Sequence, residues 1–364
     1  MMFGAHAMEV DEPVPSPDLV ERVFKAIEDD DYSTVADYCA YGDIRNLSNA
    51  SGKQCIHHAA QHGCLKILEL LVEHGEALDV PDHDGKQAIH YAARYGQLKV
   101  IRWLLDRGVT IYAVDNQKRH VAHYATCYGD TEVLDKLVEW GASVNVCDTD
   151  GFYPVYDAVR LGYIGVIEWF LAHGMSFILP YNGVGRHSMQ IVHAAARFGQ
   201  VPVLEWVAKT DTHLHKKDGC GRAPLHYAAE SGNVKALDWL ISNGAHIAAK
   251  DPSSMQPIHY AAQNGHVDAM RRLHEAGAKL DACDGVDKQP IHHAAWNGHL
   301  DAVGWLVDKE VDMHVPNRDG LQPIACAAHE GHVAVVEFLL EMGADVHAKN
   351  KHGCQAYSLC MYVR

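Results

Sequence analysis

No run of apolar residues in this sequence comes near the roughly 20 that a membrane-spanning helix requires. The first 16 residues, MMFGAHAMEVDEPVPS, hold three acids and neither lysine nor arginine. That argues against a secretory or mitochondrial leader, and residues 1–16 read as a short disordered acidic tail. Ten cysteines are present, but no two stand as a CxxC pair and their scatter suggests no disulfide framework. A reducing compartment, cytoplasmic or nuclear, is therefore expected. GxSxG, GxxxxGK(S/T) and the kinase HRD and DFG sets are all missing, so nothing points to an enzyme. Basic residues are few: 31 Lys and Arg against 47 Asp and Glu leave a formal charge of −16. That balance disfavours general attraction to nucleic acid or anionic membranes, and it leaves room for a local basic patch.

What the sequence does have is a period. Glycines recur at Gly63, Gly96, Gly129 and Gly162, then at Gly199, Gly232, Gly265, Gly298 and Gly331, with 33 residues between neighbours except for one step of 37. Self-similarity of this kind marks a solenoid. One unit, Gln256–Lys279, shows the content. Pro257 suits the first turn of a helix, where its missing N–H has no partner to lose. Ile258, Ala261 and Ala262 give that helix an apolar face, and Gly265 ends it as a C-cap glycine does. A second helix follows with Val267, Met270 and Leu273 inward, closed by Gly277. Dipeptides such as Asp84-Gly85, Asp150-Gly151, Asp218-Gly219 and Asp319-Gly320 then predict turns. One such helix pair cannot cover its own apolar face, so neighbours must stack on it.

The segments APLHYAA at 223–229, QPIHYAA at 256–262 and QPIHHAA at 289–295 resemble the ankyrin TPLHxAA signature. GHVAVVEFLLEMGADVHAKN at 331–350 resembles the second helix and following turn of that family. The resemblance covers roughly residues 17–364. It implies an all-α ankyrin-repeat solenoid of helix–turn–helix units with β-hairpin-like fingers and a concave groove. Residues 17–50 read as a degenerate N-terminal capping repeat. Residues 51–182 form a first subarray and 183–350 a second, separated by a four-residue insertion in Asn182–Ser188. Residues 176–190 are either a hinge or a tolerated loop insertion. Residues 351–364 are a truncated C-terminal half-repeat, which leaves Leu359, Met361, Tyr362 and Val363 without a second helix to cover them. Gln54, Gln87, Gln190, Gln256, Gln289, Gln322 and Gln355 replace the usual Thr; Gln is a poor helix N-cap, so other groups must cap these helices.

Histidine is abundant, with 27 copies. His57, His90, His123, His193, His226, His259 and His292 occupy the signature position, and the resemblance implies that they bond to backbone and loop groups within the array. Zinc needs three or four converging ligands, whereas a 33-residue ladder holds equivalent side chains a repeat apart. The lone HxH, His213-Leu214-His215, has no further ligand pair near it in sequence. Trp103, Trp169, Trp206, Trp239 and Trp305 all follow the helix-ending glycine at one spacing, which favours core packing over binding.

An ankyrin array without catalytic residues offers mainly a surface. The expected function is a protein-interaction scaffold or adaptor; the alternative is a structural or regulatory subunit held permanently in a large assembly. In the ankyrin pattern the residues one, four and five places after the signature His face the groove. They include His58, Gln61 and His62, then Tyr91, Arg94 and Tyr95, then Tyr124, Cys127 and Tyr128. Arg160, Arg197 and Phe198 follow from the irregular middle, and Tyr227, Tyr260, His293 and Trp296 from the later units. Tyr, Trp and Arg dominate interface hot spots, and the arginines favour a partner with an acidic or aromatic segment. A second contact is expected at the C-terminal edge through Leu359, Met361 and Tyr362. No cofactor and no metal are expected. Thermal melts with and without a strong chelator should therefore superimpose, and a chelator-induced fall of many degrees would defeat that reading.

Overall fold

The structure, a computed structural model, describes residues 17–41, 44, 47–175, 178–179, 189–210, 214–345, 347–351 and 353. The C-terminal edge residues Leu359, Met361, Tyr362 and Val363, the inserted loop and His213 lie outside them. The chain divides into two compact units, Met1–Asp150 and Gly151–Arg364, one repeat before the boundary expected from the insertion.

Twenty helices among the described residues come as ten pairs, each an inner helix followed by an outer one. The first unit holds α1 (Pro17–Glu28) with α2 (Tyr32–Tyr41), α3 (Cys55–His62) with α4 (Leu65–Glu73), α5 (Ala88–Arg94) with α6 (Leu98–Asp106), and α7 (Val121–Thr126) with α8 (Thr131–Glu139). The second holds α9 (Pro154–Leu161) with α10 (Ile164–Ala172), α11 (Ile191–Phe198) with α12 (Val201–Thr210), and α13 (Pro224–Glu230) with α14 (Val234–Ser242). It continues through α15 (Pro257–Gln263) with α16 (Val267–Glu275), α17 (Pro290–Trp296) with α18 (Leu300–Asp308), and α19 (Pro323–Glu330) with α20 (Val333–Glu341). A two-residue antiparallel pair, Ile178–Leu179 on Met189–Gln190, precedes α11. The architecture is an all-α repeat solenoid.

Each inner helix packs on the next within its unit, as α3 does on α5 and α5 on α7. Alanine pairs at the contact, among them Ala59-Ala60, Ala92-Ala93 and Ala261-Ala262, are fully buried and let the backbones approach closely. The outer helices supply the bulk: Ile67, Leu68 and Leu71, or Ala269, Met270 and Leu273, lose all solvent contact. Burying each large aliphatic side chain is worth about 1.5–3 kcal/mol. Gly63 and Gly199 end α3 and α11 at φ of +79° and +70°, the left-handed region that a side chain resists. The tryptophans sit half-buried between successive outer helices rather than deep in the core, apart from Trp169. Trp103 and Trp206 donate their indole N–H to Glu69 and Glu168 on the preceding outer helix.

The signature histidines do the capping that glutamine does not. The backbone N–H before the inner helix donates to histidine Nδ1: Gln54 to His57 at 2.9 Å, Gln87 to His90 at 2.9 Å, Gln256 to His259 at 2.9 Å. The Oε1 atoms of Gln87 and Gln190 lie buried and take no part. Histidine Nε2 reaches the following turn and donates to a carbonyl there: His57 to Val80 at 2.8 Å, His90 to Ala113 at 3.1 Å, His259 to Ala282 at 2.8 Å, His292 to Val315 at 3.0 Å. Carbonyls only accept and amides only donate, so both contacts demand a neutral ring protonated at Nε2. Burial pushes His90, His259 and His292 down to about 4 and lowers His57, His193 and His226 as well.

The unfolded chain takes up these protons near pH 6.5, whereas the folded chain resists until about pH 4. Stability is therefore full above pH 6.5 and falls as pH drops, by up to about 1.4 kcal/mol per pH unit for each such histidine. Thermal melts should show a plateau near pH 7.5 and a steep fall toward pH 5. His259→Gln should lower the melting temperature at pH 7.5 and narrow the gap between pH 7.5 and pH 5. An unchanged gap would show that the ladder does not carry the acid sensitivity.

Candidate partner-binding face

The inner helices of each unit, with the turns before them, present one face, and its side chains divide into those held by the array and those left outside it. The turn supplies the first group. Asp82 accepts on Oδ1 from the backbone N–H of Asp84 and Lys86, at 2.9 and 2.8 Å, and on Oδ2 from the Tyr91 hydroxyl at 2.6 Å. Asp115 does the same for Gln117, Arg119 and Tyr124, and Asp218 for Cys220, Arg222 and Tyr227. Asp251 takes Met255 N–H and the Tyr260 hydroxyl at 2.7 Å. In the next repeat His293 replaces tyrosine, and its Nε2 lies 3.0 Å from Asp284. Burial works against the Asp284 charge, yet the His293 bond and the N–H groups of Val286 and Lys288 hold it at about 2. One carboxylate thus closes the turn and pins the first residue of the face.

These bonds correct the expectation for three tyrosines. Tyr124, Tyr227 and Tyr260 are only 2%, 4% and 5% exposed, with their hydroxyls committed to aspartate, so they lie beneath the face and support it. Burial, and then the hydrogen bond to aspartate, raises all three phenols well above their ordinary range. Tyr91 is half-buried and tied in the same way. His58 stacks on Phe24 with ring centroids 4.6 Å apart and meets Lys53 Nζ through Nδ1 at 2.9 Å; its other neighbour is His62. Burial, then the Lys53 charge, lowers His58 to about 3.

The second group reaches solvent. Arg94, Tyr95 and Tyr128 are exposed in the first unit, the two tyrosines by 42% and 46%. Tyr128 lies against Gly96, where a Cβ would come within 2.4 Å of its ring. In the second unit Arg197 is exposed, while Arg160 is paired with Asp157 at 2.7 Å. Phe198 is half-buried, edge-on to Tyr156. Trp296 is half-buried, stacked on His329 with Lys288 4.4 Å above its ring.

A further ladder joins the repeats below this face. In several repeats the residue after the helix-ending glycine donates to a carbonyl in the last turn of the previous inner helix: Gln97 to Gln61 at 3.2 Å, His266 to Glu230 at 3.1 Å, His299 to Gln263 at 2.9 Å, His332 to Trp296 at 2.9 Å. Asp130, which cannot donate, instead caps its own helix through Glu132 N–H at 2.9 Å. The ankyrin-repeat pattern matches residues 23–115, 191–284 and 258–350, and its single-repeat form matches 119–149. The chain belongs to the ankyrin-repeat family. No curated protein matches it. The longest stretch outside these matches, 150–190, includes the unit in which Tyr156 stands at the signature histidine position.

The reading of the sequence missed the buried aspartates. Their signal was available, because Asp82, Asp115, Asp218, Asp251 and Asp284 keep the repeat period and stand nine residues before the pinned Tyr or His. The Asp-Gly dipeptides mask it: Asp218-Gly219 looks like Asp84-Gly85, whereas the left-handed position is taken by Gly221 at φ +76°. Among the described residues, no group of three or more His, Cys, Asp or Glu is placed to hold a metal ion.

Tyr227→Phe removes one donor and orphans a buried carboxylate oxygen, which should cost about 1–3 kcal/mol. Tyr95→Phe, at an exposed position, should be near neutral. Urea unfolding of the two variants beside the wild type checks the contrast, and equal midpoints would refute a supporting role for Tyr227.

Proposed function

We propose that this ankyrin array is a protein-interaction scaffold or adaptor. It takes a segment of a partner protein, one bearing carboxylates or aromatic rings, onto its inner-helix face. The observation that carries this reading is the exposed cluster Arg94, Tyr95 and Tyr128, set on tyrosines already locked by aspartate. Residues of these types anchor interfaces, and a pre-ordered support spares the entropy of arranging them on binding. In the second unit Arg197, Phe198 and Trp296 continue the same kind of surface. The overall charge of −16 repels an acidic segment elsewhere, so the cationic face gives it direction. The buried thiols Cys55, Cys64 and Cys326 fit work in the reducing cytoplasm or nucleus.

Changing Arg94, Tyr95 and Tyr128 together to Ala should leave the helical circular dichroism intact, because none of the three carries a turn. Partner affinity should fall by several kcal/mol, given about 1–2 kcal/mol or more per anchor. The check is affinity capture with the wild type and the variant side by side, read by mass spectrometry. A folded variant that retains the same partners would move the site to the finger tips or the outer helices.

A further inference from the structure

In three repeats the residue four places before the signature histidine meets the residue four places after it across the inner-helix face, and the pair is satisfied from within. Lys53 Nζ donates to Gln61 Oε1 at 2.6 Å. Arg222 forms an ion pair with Glu230 at 3.3 Å. Lys288 lies 4.4 Å over the ring of Trp296. Another repeat of the first unit is arranged differently. Its pair is Lys86 and Arg94, two cations that line a single pocket of about 170 Å³ with His90, Tyr91, Tyr95 and Tyr124. Lys86 leans on Asp84 at 2.7 Å. Arg94 is exposed and has no ion pair or hydrogen bond from its guanidinium among the described residues. The walls are fixed, because the Tyr91 and Tyr124 hydroxyls are held by Asp82 and Asp115.

We infer that this pocket is the acceptor for one carboxylate side chain, a Glu or Asp of an extended peptide segment of the partner; the inference rests on the inner-helix face being the binding face. The Arg94 fork matches a carboxylate with two parallel hydrogen bonds, and Lys86 adds a second positive charge beside it. The volume holds about as much as five or six waters, which is enough for one side chain and too little for a helix. Opposite Lys53, Arg222 and Lys288 the chain provides the complement itself; opposite Arg94 the partner provides it.

The test uses the full chain and random peptides displayed on phage, selected in parallel on the wild type and on Arg94→Glu. This substitution copies the Arg222–Glu230 arrangement by setting a carboxylate opposite the Lys86 cation, so circular dichroism should show a folded variant; Arg94→Gln serves if it does not. Wild-type selection should enrich peptides that share an Asp or Glu at one position, and the Arg94→Glu selection should replace it with Lys or Arg. A fluorescein-labelled peptide from the wild-type set should bind Arg94→Glu about 10-fold or more weakly, and Arg94→Lys a few-fold more weakly. Enriched peptides with no shared acid, or the same peptides from both selections, would overturn the inference. The binding-face reading would survive that result if the Arg94, Tyr95 and Tyr128 alanine variant still lost the peptides. No enrichment at all would overturn both. A phosphoserine in place of the shared acid that binds about 10-fold tighter would reassign the pocket to a phosphoryl group and overturn the carboxylate assignment.

Discussion

The two-handed histidine is the contact on which the array depends. Nδ1 takes the first free N–H of its own inner helix, and Nε2 gives its proton to a carbonyl of the following turn. A helix start and the next finger are thereby joined through one rigid ring. Protonation of Nδ1 would remove the acceptor for the helix-start N–H, so the ring must stay neutral to make both contacts, and burial keeps it so. Because glutamine stands where a better capping residue is usual, the imidazole carries the helix start without help from that side chain.

The fingers are ordered from the other side by aspartate. A single buried carboxylate such as Asp82 closes its turn with two backbone N–H groups and then holds a tyrosine hydroxyl nine residues on. Backbone bonds between neighbouring turns, from Asn116 to Asp84 and from Gly285 to Ser253, tie each finger to the next within its unit. The inner-helix face is therefore laid over groups that are already fixed. Charge follows the same division of labour. The buried aspartates of the turns are used up internally, while Lys86 and Arg94 in the first unit and Arg197 in the second stand toward solvent or at its edge.

Periodicity made the scaffold legible: glycine every 33 residues and proline opening helices each have a local physical meaning that needs no tertiary contact, while the paired alanines and the recurring histidine are legible through their resemblance to the ankyrin signature. The roles within the face were less legible. Tyr124 and Tyr128 look alike in sequence, and groove position alone ranks them together. Tyr124 is buried because Asp115 lies within reach of its hydroxyl, while Tyr128 stays exposed because it rides over Gly96, which has no side chain to displace it. The tryptophans show the same limit: their spacing placed them on the outer helices, but only the neighbouring helix, with Glu69 or Glu168, decided that their indole N–H groups would be satisfied at the surface.

By itself, then, the sequence determined the repeat, the helix pairs and the histidine ladder, because these follow from backbone preference and from spacing along the chain. Tertiary structure alone decided which side chains of the face are buried as support and which reach solvent. It also decided that Lys86 and Arg94 share one pocket with no acid opposite Arg94. Burial and pairing depend on what the adjacent repeat places opposite a residue, and that information lies a full repeat away in sequence rather than beside it.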